Sequence, residues 1–321
     1  MTKTITSAKE LSGLYPALFT PIKDDDPKCL NNSIDYKKAE QMIDDLIASG
    51  VHGLVPVGTT GQSATLTPAH HVDFIKFTID YAGDRVPVIA GAGSNCTRES
   101  VDTIHQILKT AGEVTFLCVT GYYNNPPQEG LIKHFETLVA ETGANIIMYN
   151  VPVRTSSYLE AETVIHLSKN DKIIGIKQAV DFKNPGSKRE DTLKIIQGIN
   201  SDEFTLLSGE DDSLFAVLEL GGKGMITATG NIPEAAMLFC QILSAYKDGN
   251  KEKAAALQQE AEKFVKACFM RKNPVPLATL FNSPVYQPLC RVIETENGES
   301  AHQELMELIT NHAPSLQKYH D

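Results

Sequence analysis

Short apolar runs recur at fairly even spacing along the first two thirds of this chain, at residues 15–20, 53–57, 86–90, 114–120, 146–149, 173–177, 204–208 and 225–229. They are too short for helices, and several are rich in β-branched side chains, so they predict strands. The run around residues 173–177 does not alternate with polar residues, as expected of a strand covered on both faces. Between the runs, apolar residues step by three and four. Tyr36, Ala39, Ile43, Leu46 and Ile47 form one such face; Val72, Ile75 and Ile79 a second; Val101, Ile104, Leu108 and Ala111 a third. These predict amphipathic helices. Gly50, Gly83, Gly112, Gly143 and Gly221 each follow a periodic run, where helices stop. Thr67 before Pro68 reads as a helix cap followed by proline at the first helical position.

Eight strands alternating with helices predict an α/β fold, a (β/α)8 TIM barrel over residues 1–231. A doubly wound open sheet would carry a glycine-rich loop after its first strand, but Thr20-Pro21-Ile22 stands there. Two further helical faces follow: Ala235, Leu238, Phe239, Ile242 and Tyr246, then Leu257, Ala261, Phe264, Val265 and Cys268. Residues 232–321 are therefore expected to be a helical C-terminal extension packed on the barrel. The polar stretch 181–191 reads as the loop after strand six.

Composition narrows the partners. The chain has 321 residues and a formal net charge of −11, which argues against nucleic acid or an anionic membrane surface. An anionic substrate must then be drawn by local cations. Six cysteines show no paired spacing and read as reduced thiols. No stretch has the length of a membrane span and the first residues lack a signal-like apolar core, so a cytoplasmic protein is expected.

Chemistry gathers at the strand ends, where a barrel carries its site. Lys177 ends strand six; a lysine buried without a partner tends to shed its proton and become a nucleophile toward carbonyls. Gly58-Thr59-Thr60-Gly61-Gln62-Ser63 follows strand two and offers hydroxyls and free amides to a small carboxylate. Tyr122 and Tyr123 follow strand four. Strand five ends in Tyr149-Asn150-Val151-Pro152-Val153-Arg154-Thr155, a proton-carrying phenol followed by a guanidinium suited to a carboxylate. His70 and His71 are adjacent and so diverge on a helix, Gly91-Ala92-Gly93 is too short for a nucleotide loop, and Gly209-Glu210-Asp211-Asp212 reads as a loop and an acidic helix start.

In this order and spacing, Gly58-Thr59-Thr60-Gly61, Tyr122-Tyr123, Tyr149-Asn150-Val151-Pro152-x-Arg154-Thr155 and Gly175-Ile176-Lys177 resemble the dihydrodipicolinate synthase / N-acetylneuraminate lyase superfamily. The resemblance implies a Schiff base between Lys177 and pyruvate, with neither metal nor organic cofactor. It assigns the pyruvate carboxylate to Thr59 and Thr60, proton transfer to Tyr149 relayed through Thr59 to Tyr123, and a backbone carbonyl at the site to Ile226. Arg154 points to the synthase branch, where it holds the carboxylate of aspartate semialdehyde on the way to lysine and diaminopimelate. The same resemblance implies a homo-oligomer, a dimer of dimers, with Tyr123 crossing the dimer interface. It also implies a regulatory lysine pocket from Ser63, Ala64, His71, Asn95, Glu99 and Tyr122, although Asn95 and Glu99 with Thr97 as cap also fit a plain helix start. Two other readings stay open: a pyruvate aldolase acting on a sugar acid, and a non-catalytic keto-acid-binding barrel. The chain departs from the family pattern at Gln62, Gly121, Gln178, Pro68 and Ala278.

Overall fold

In a computed structural model of the chain, residues 3–182, 188–287 and 301–320 are described. Eight parallel strands are joined in the order β2-β1-β8-β7-β6-β5-β4-β3. They are β1 (Gly13–Leu18), β2 (Val55–Pro56), β3 (Ile89–Gly91), β4 (Thr115–Val119), β5 (Ile146–Asn150), β6 (Ile173–Gln178), β7 (Thr205–Ser208) and β8 (Gly224–Thr227). The two ends of that order meet: Leu54 bridges Val88, and its carbonyl accepts from Ile89 N at 2.9 Å. That seam closes the sheet into the expected (β/α)8 TIM barrel, and closure leaves no edge strand exposed.

Helices α1 (Tyr36–Ala48), α2 (Pro68–Ala82), α3 (Thr97–Ala111) and α4 (Gln128–Thr142) follow the first four strands in turn. A one-turn helix α5 (Pro152–Thr155) precedes α6 (Ala161–Leu167), and α7 (Arg189–Gly198) and α8 (Leu214–Leu220) follow β6 and β7. Their apolar stripes bury against the outer face of the barrel, in one cluster running from Leu14 and Ile43 to Phe239 and Leu316. Thr67 caps α2 by accepting from His70 N, and Gly83, Gly112, Gly143 and Gly221 terminate helices as expected. The N-cap of α3 is Cys96, not Thr97; the Thr97 hydroxyl instead pairs with His134 Nδ1 at 2.8 Å. Asp191 lies inside α7, so the polar loop ends before it, and residues 183–187 of that loop fall outside the described residues.

The barrel interior is a second apolar cluster. It is plugged at the bottom by Ile5, Ala8 and Leu11, which pack beneath Tyr15, Ile89 and Leu207. Thr115 and Thr205 fasten that plug by donating to the carbonyls of Ile5 and Ala8. The interior is therefore a packed core open to solvent only at the carboxyl ends of the strands.

After β8 comes α9 (Pro233–Lys247), which packs on β1, α8 and α1 and so occupies the eighth place in the outer ring. We propose the boundary between barrel and extension after Lys247, where a division at residue 231 would separate β8 from its own helix. Beyond it run α10 (Lys251–Phe269), α11 (Val275–Leu280) and α12 (Ala301–His312). Of the cysteines, Cys118 and Cys268 are buried, Cys96 is exposed, and all five described thiols are free, with Cys290 outside the described residues. No helix among the described residues is long and apolar enough to cross a membrane.

Candidate active site

The carboxyl ends of the strands surround a cavity of about 440 Å³. Its wall includes Thr59 and Thr60 after β2, Tyr149 on β5, Arg154 on α5 and Lys177 on β6.

A register shift between Ile146 and Ile147 sets the two central groups. Beyond it Tyr149 stands opposite Lys177 in the parallel ladder, so both point inward. Lys177 Nζ lies 4.3 Å from the centroid of the Tyr149 ring, and Lys177 is only 6% exposed. The next residues point outward and lock the strand tops together. Asn150 Nδ2 donates to Gln178 Oε1 at 3.0 Å, and Asn150 also holds both the amide and the carbonyl of Leu159. Gln178 thus accepts from one amide while its own amide group faces Thr192.

The hydroxyl loop is a tight turn. Val57 and Gln62 carry φ of 54° and 62°, in the left-handed region that side chains rarely enter. A Cβ on Gly61 would sit 2.8 Å from Val57 N, so only glycine allows the chain to double back here. Gln62 then donates to Thr20 O and accepts from Tyr286 N. A carboxylate could not make both bonds, which accounts for an amide at this buried position.

Sequence reasoning missed part of the wall. Glu210 and Asp211 line the cavity, although they read as an acidic helix start; α8 begins only at Leu214 and has no acid in its first turn. Burial, then the charges of Asp211 and Asp212, push the Glu210 carboxyl up to about 7, while Lys177 and Arg154 pull the other way. Asp211 is buried and accepts from Thr229 N at 2.6 Å; burial raises its pKa against that bond and the charge of Lys177. Lys177 is thus buried as expected, but within the field of two acids. Another part of the wall comes from the end of α10 and the chain leading to α11: Phe269, Met270, Arg271, Lys272 and Asn273. Their contribution had no sequence signal beyond Pro274 and Pro276, because it is set by tertiary folding across the strand ends.

The other expected residues lie elsewhere. Ile226 is wholly buried in the barrel interior. Tyr123 is 91% exposed, with φ of 72°, and does not reach the cavity; no hydrogen bond among the described residues joins it to Thr59 or Tyr149. Among the regulatory candidates, His71 Nε2 pairs with Gly91 O at 2.7 Å, and burial lowers its pKa against that bond and the charge of Glu99. Glu99 is held by the Ser94 hydroxyl, and Asn95 Oδ1 approaches Gly121, so His71, Glu99 and Asn95 gather beside the loop that carries Tyr122. Ser63 and Ala64 stand on the far end of the hydroxyl turn, with Ser63 N donating to Gly58 O. No group of three or more His, Cys, Asp or Glu side chains among the described residues is arranged to hold a metal ion.

A closed parallel barrel with an inward lysine and a polar cavity at the strand ends defines a (β/α)8 enzyme. Comparison with known proteins agrees and goes further. The dihydrodipicolinate synthetase family model matches residues 10–312, and the chain belongs to that family. A 4-hydroxy-tetrahydrodipicolinate synthase of Methanopyrus kandleri is 36% identical over 306 residues, 93% of this chain and 97% of that one. One from Oleidesulfovibrio alaskensis is 38% identical, covering 84% of this chain and 87% of that one. The crystal structure of the enzyme from Cyanidioschyzon merolae with lysine bound superposes with a TM-score of 0.82 at 28% identity, covering 96% of this chain and 99% of that one.

Proposed function

We propose that this chain is a lyase that condenses pyruvate with L-aspartate 4-semialdehyde to give 4-hydroxy-tetrahydrodipicolinate, in the route to diaminopimelate and lysine in the cytoplasm. One observation carries the reading: a buried lysine pressed on a tyrosine, in a cavity that also holds a hydroxyl pair and an arginine, in a chain 36% identical to such synthases.

The chemistry follows from the side chains. Thr59 and Thr60 hold the pyruvate carboxylate. Deprotonated Lys177 Nζ adds to the ketone carbon, and the carbinolamine loses water to give the imine. The protonated imine then draws electrons from the methyl carbon, which releases a proton to leave an enamine. Tyr149, whose ring lies against the amine, carries these protons. Glu210, titrating near neutrality beside them, is a second reservoir. The enamine carbon adds to the aldehyde while Arg154 holds that substrate's carboxylate, and the new alkoxide takes a proton. The substrate's own amine, once deprotonated, attacks the imine carbon, closes the ring and frees Lys177. The sum is one product, one water and the one proton shed by the substrate's ammonium group, with the protein unchanged and the imine serving as the electron sink.

Borohydride reduction with pyruvate should add the mass of a reduced pyruvyl group at Lys177, and Lys177→Ala should abolish both the adduct and turnover. A parent chain that gains no mass would defeat the reading in favour of a binding protein, and faster turnover of a sugar aldehyde than of aspartate semialdehyde would move it to the aldolases.

Two further features belong to the proposal. Tyr123, exposed in the single chain, reaches a neighbouring subunit's site across a dimer interface. Lysine binds where His71, Asn95 and Glu99 gather; a similar structure was solved with lysine bound. Millimolar lysine should then inhibit turnover, and Asn95→Ala should blunt that inhibition with little change in uninhibited rate. Full activity of the parent across that titration would sink the regulatory part alone.

A further inference from the structure

Between α10 and α11 the chain crosses the mouth of the barrel, and Asn273 is its innermost residue there, 6% exposed. Its side-chain Nδ2 donates to Thr60 Oγ1 at 3.0 Å. Its backbone carbonyl accepts from Arg154 Nη2 at 3.5 Å. Its Oδ1 is buried and has no partner among the described residues. One residue from the extension therefore touches both groups to which the proposed function assigns substrate carboxylates.

The consequence at Thr60 is directional. A threonine hydroxyl has one proton and two lone pairs. With a lone pair engaged by the Asn273 amide, and no acceptor for the hydroxyl proton among the described residues, that proton is left for the cavity. A carboxylate needs a donor, so the bond selects the useful rotor in advance of binding. At Arg154, which stands at the exposed rim, the carbonyl occupies one N–H of the fork and leaves the others free.

We infer that Asn273 is a positioning residue: its amide turns the Thr60 hydroxyl to donate to the keto-acid carboxylate, and its carbonyl steadies Arg154 over the same cavity. The inference rests on the proposed function, in which Lys177 captures pyruvate and Thr60 meets its carboxylate. It gives the C-terminal extension a part in the site itself, beyond covering the barrel.

A double-mutant cycle tests this, read by borohydride trapping at graded pyruvate concentrations and by the KM for pyruvate. Asn273→Ala should weaken pyruvate capture about fivefold, the scale of one hydrogen bond. In a Thr60→Val background the same change should cost less than about twofold, because the hydroxyl through which it acts is gone. Asn273→Leu keeps the side-chain volume and removes the donor, and should give the same pair of results where the alanine variant fails to fold. Equal losses in the two backgrounds, or no loss in either, would overturn the inference while leaving Lys177 trapping intact. A parent chain that traps no pyruvate would overturn the functional reading and this inference with it.

Discussion

Burial and two neighbouring carboxylates hold the Glu210 carboxyl near 7, against the opposing pull of Lys177 and Arg154. A carboxyl raised in the folded state favours its protonated form, so the stability it contributes is present below the ordinary glutamate range and is lost as pH rises through about 7. Glu210→Gln keeps the neutral form at every pH. Its unfolding midpoint should therefore gain on the parent's as pH rises from about 5 to about 8, and parallel curves would reject the assignment. Glu210 was hidden in the sequence because an acidic triplet before an apolar run looks the same whether it starts a helix or faces a cavity. Lys177, Tyr149, Thr59, Thr60 and Arg154 were legible since each ends or follows an apolar run, and strand ends in a barrel converge. The expectation that Tyr123 crosses a dimer interface came from the family resemblance alone, because nothing local in a chain states which subunit a side chain serves.

At the scale of elements, eight strands could be read from apolar runs, while their bounds shifted by a few residues. The largest contraction is β2, reduced to Val55–Pro56 by the proline, which lacks an amide for the ladder, and by the left-handed turn at Val57. No pattern of apolar residues could reveal that the barrel's seam lies here, held by the Leu54–Val88 bridge. The seam is also a very close approach in the barrel wall: a Cβ on Gly91 would lie 2.1 Å from Val57 O. Gly91→Ala must push β3 from the turn that carries Thr59 and Thr60. The expected cost is about 1–3 kcal/mol of stability by denaturant unfolding, with weaker trapping of pyruvate at Lys177. Unchanged stability and trapping would mean that the seam yields without moving the hydroxyl pair.

For the whole molecule, the chain carries a net charge of −11, yet Arg154, Arg271 and Lys272 line the same cavity as Glu210 and Asp211. Local cations for anionic substrates thus stand at the strand ends, and two of the three come from beyond the barrel. In the proposed relay, Tyr123 is the member that one chain does not bring to the cavity, for it stands 91% exposed with φ of 72°. A left-handed backbone costs a tyrosine about 1–2 kcal/mol, and the exposed ring gains nothing from water in return. Such a conformation persists where surrounding structure demands it; in the proposed assembly a second subunit does so. The parent should then sediment as a dimer or larger. Tyr123→Ala should shift it toward smaller species and lower turnover by roughly tenfold or more, as loss of a proton-transfer group does. Because Lys177 and Tyr149 belong to the same chain, borohydride trapping of pyruvate should survive in that variant better than turnover does. A parent that sediments as a monomer at full activity would leave Tyr123 without a role, and the relay would have to end within the chain, at Glu210 or Tyr149.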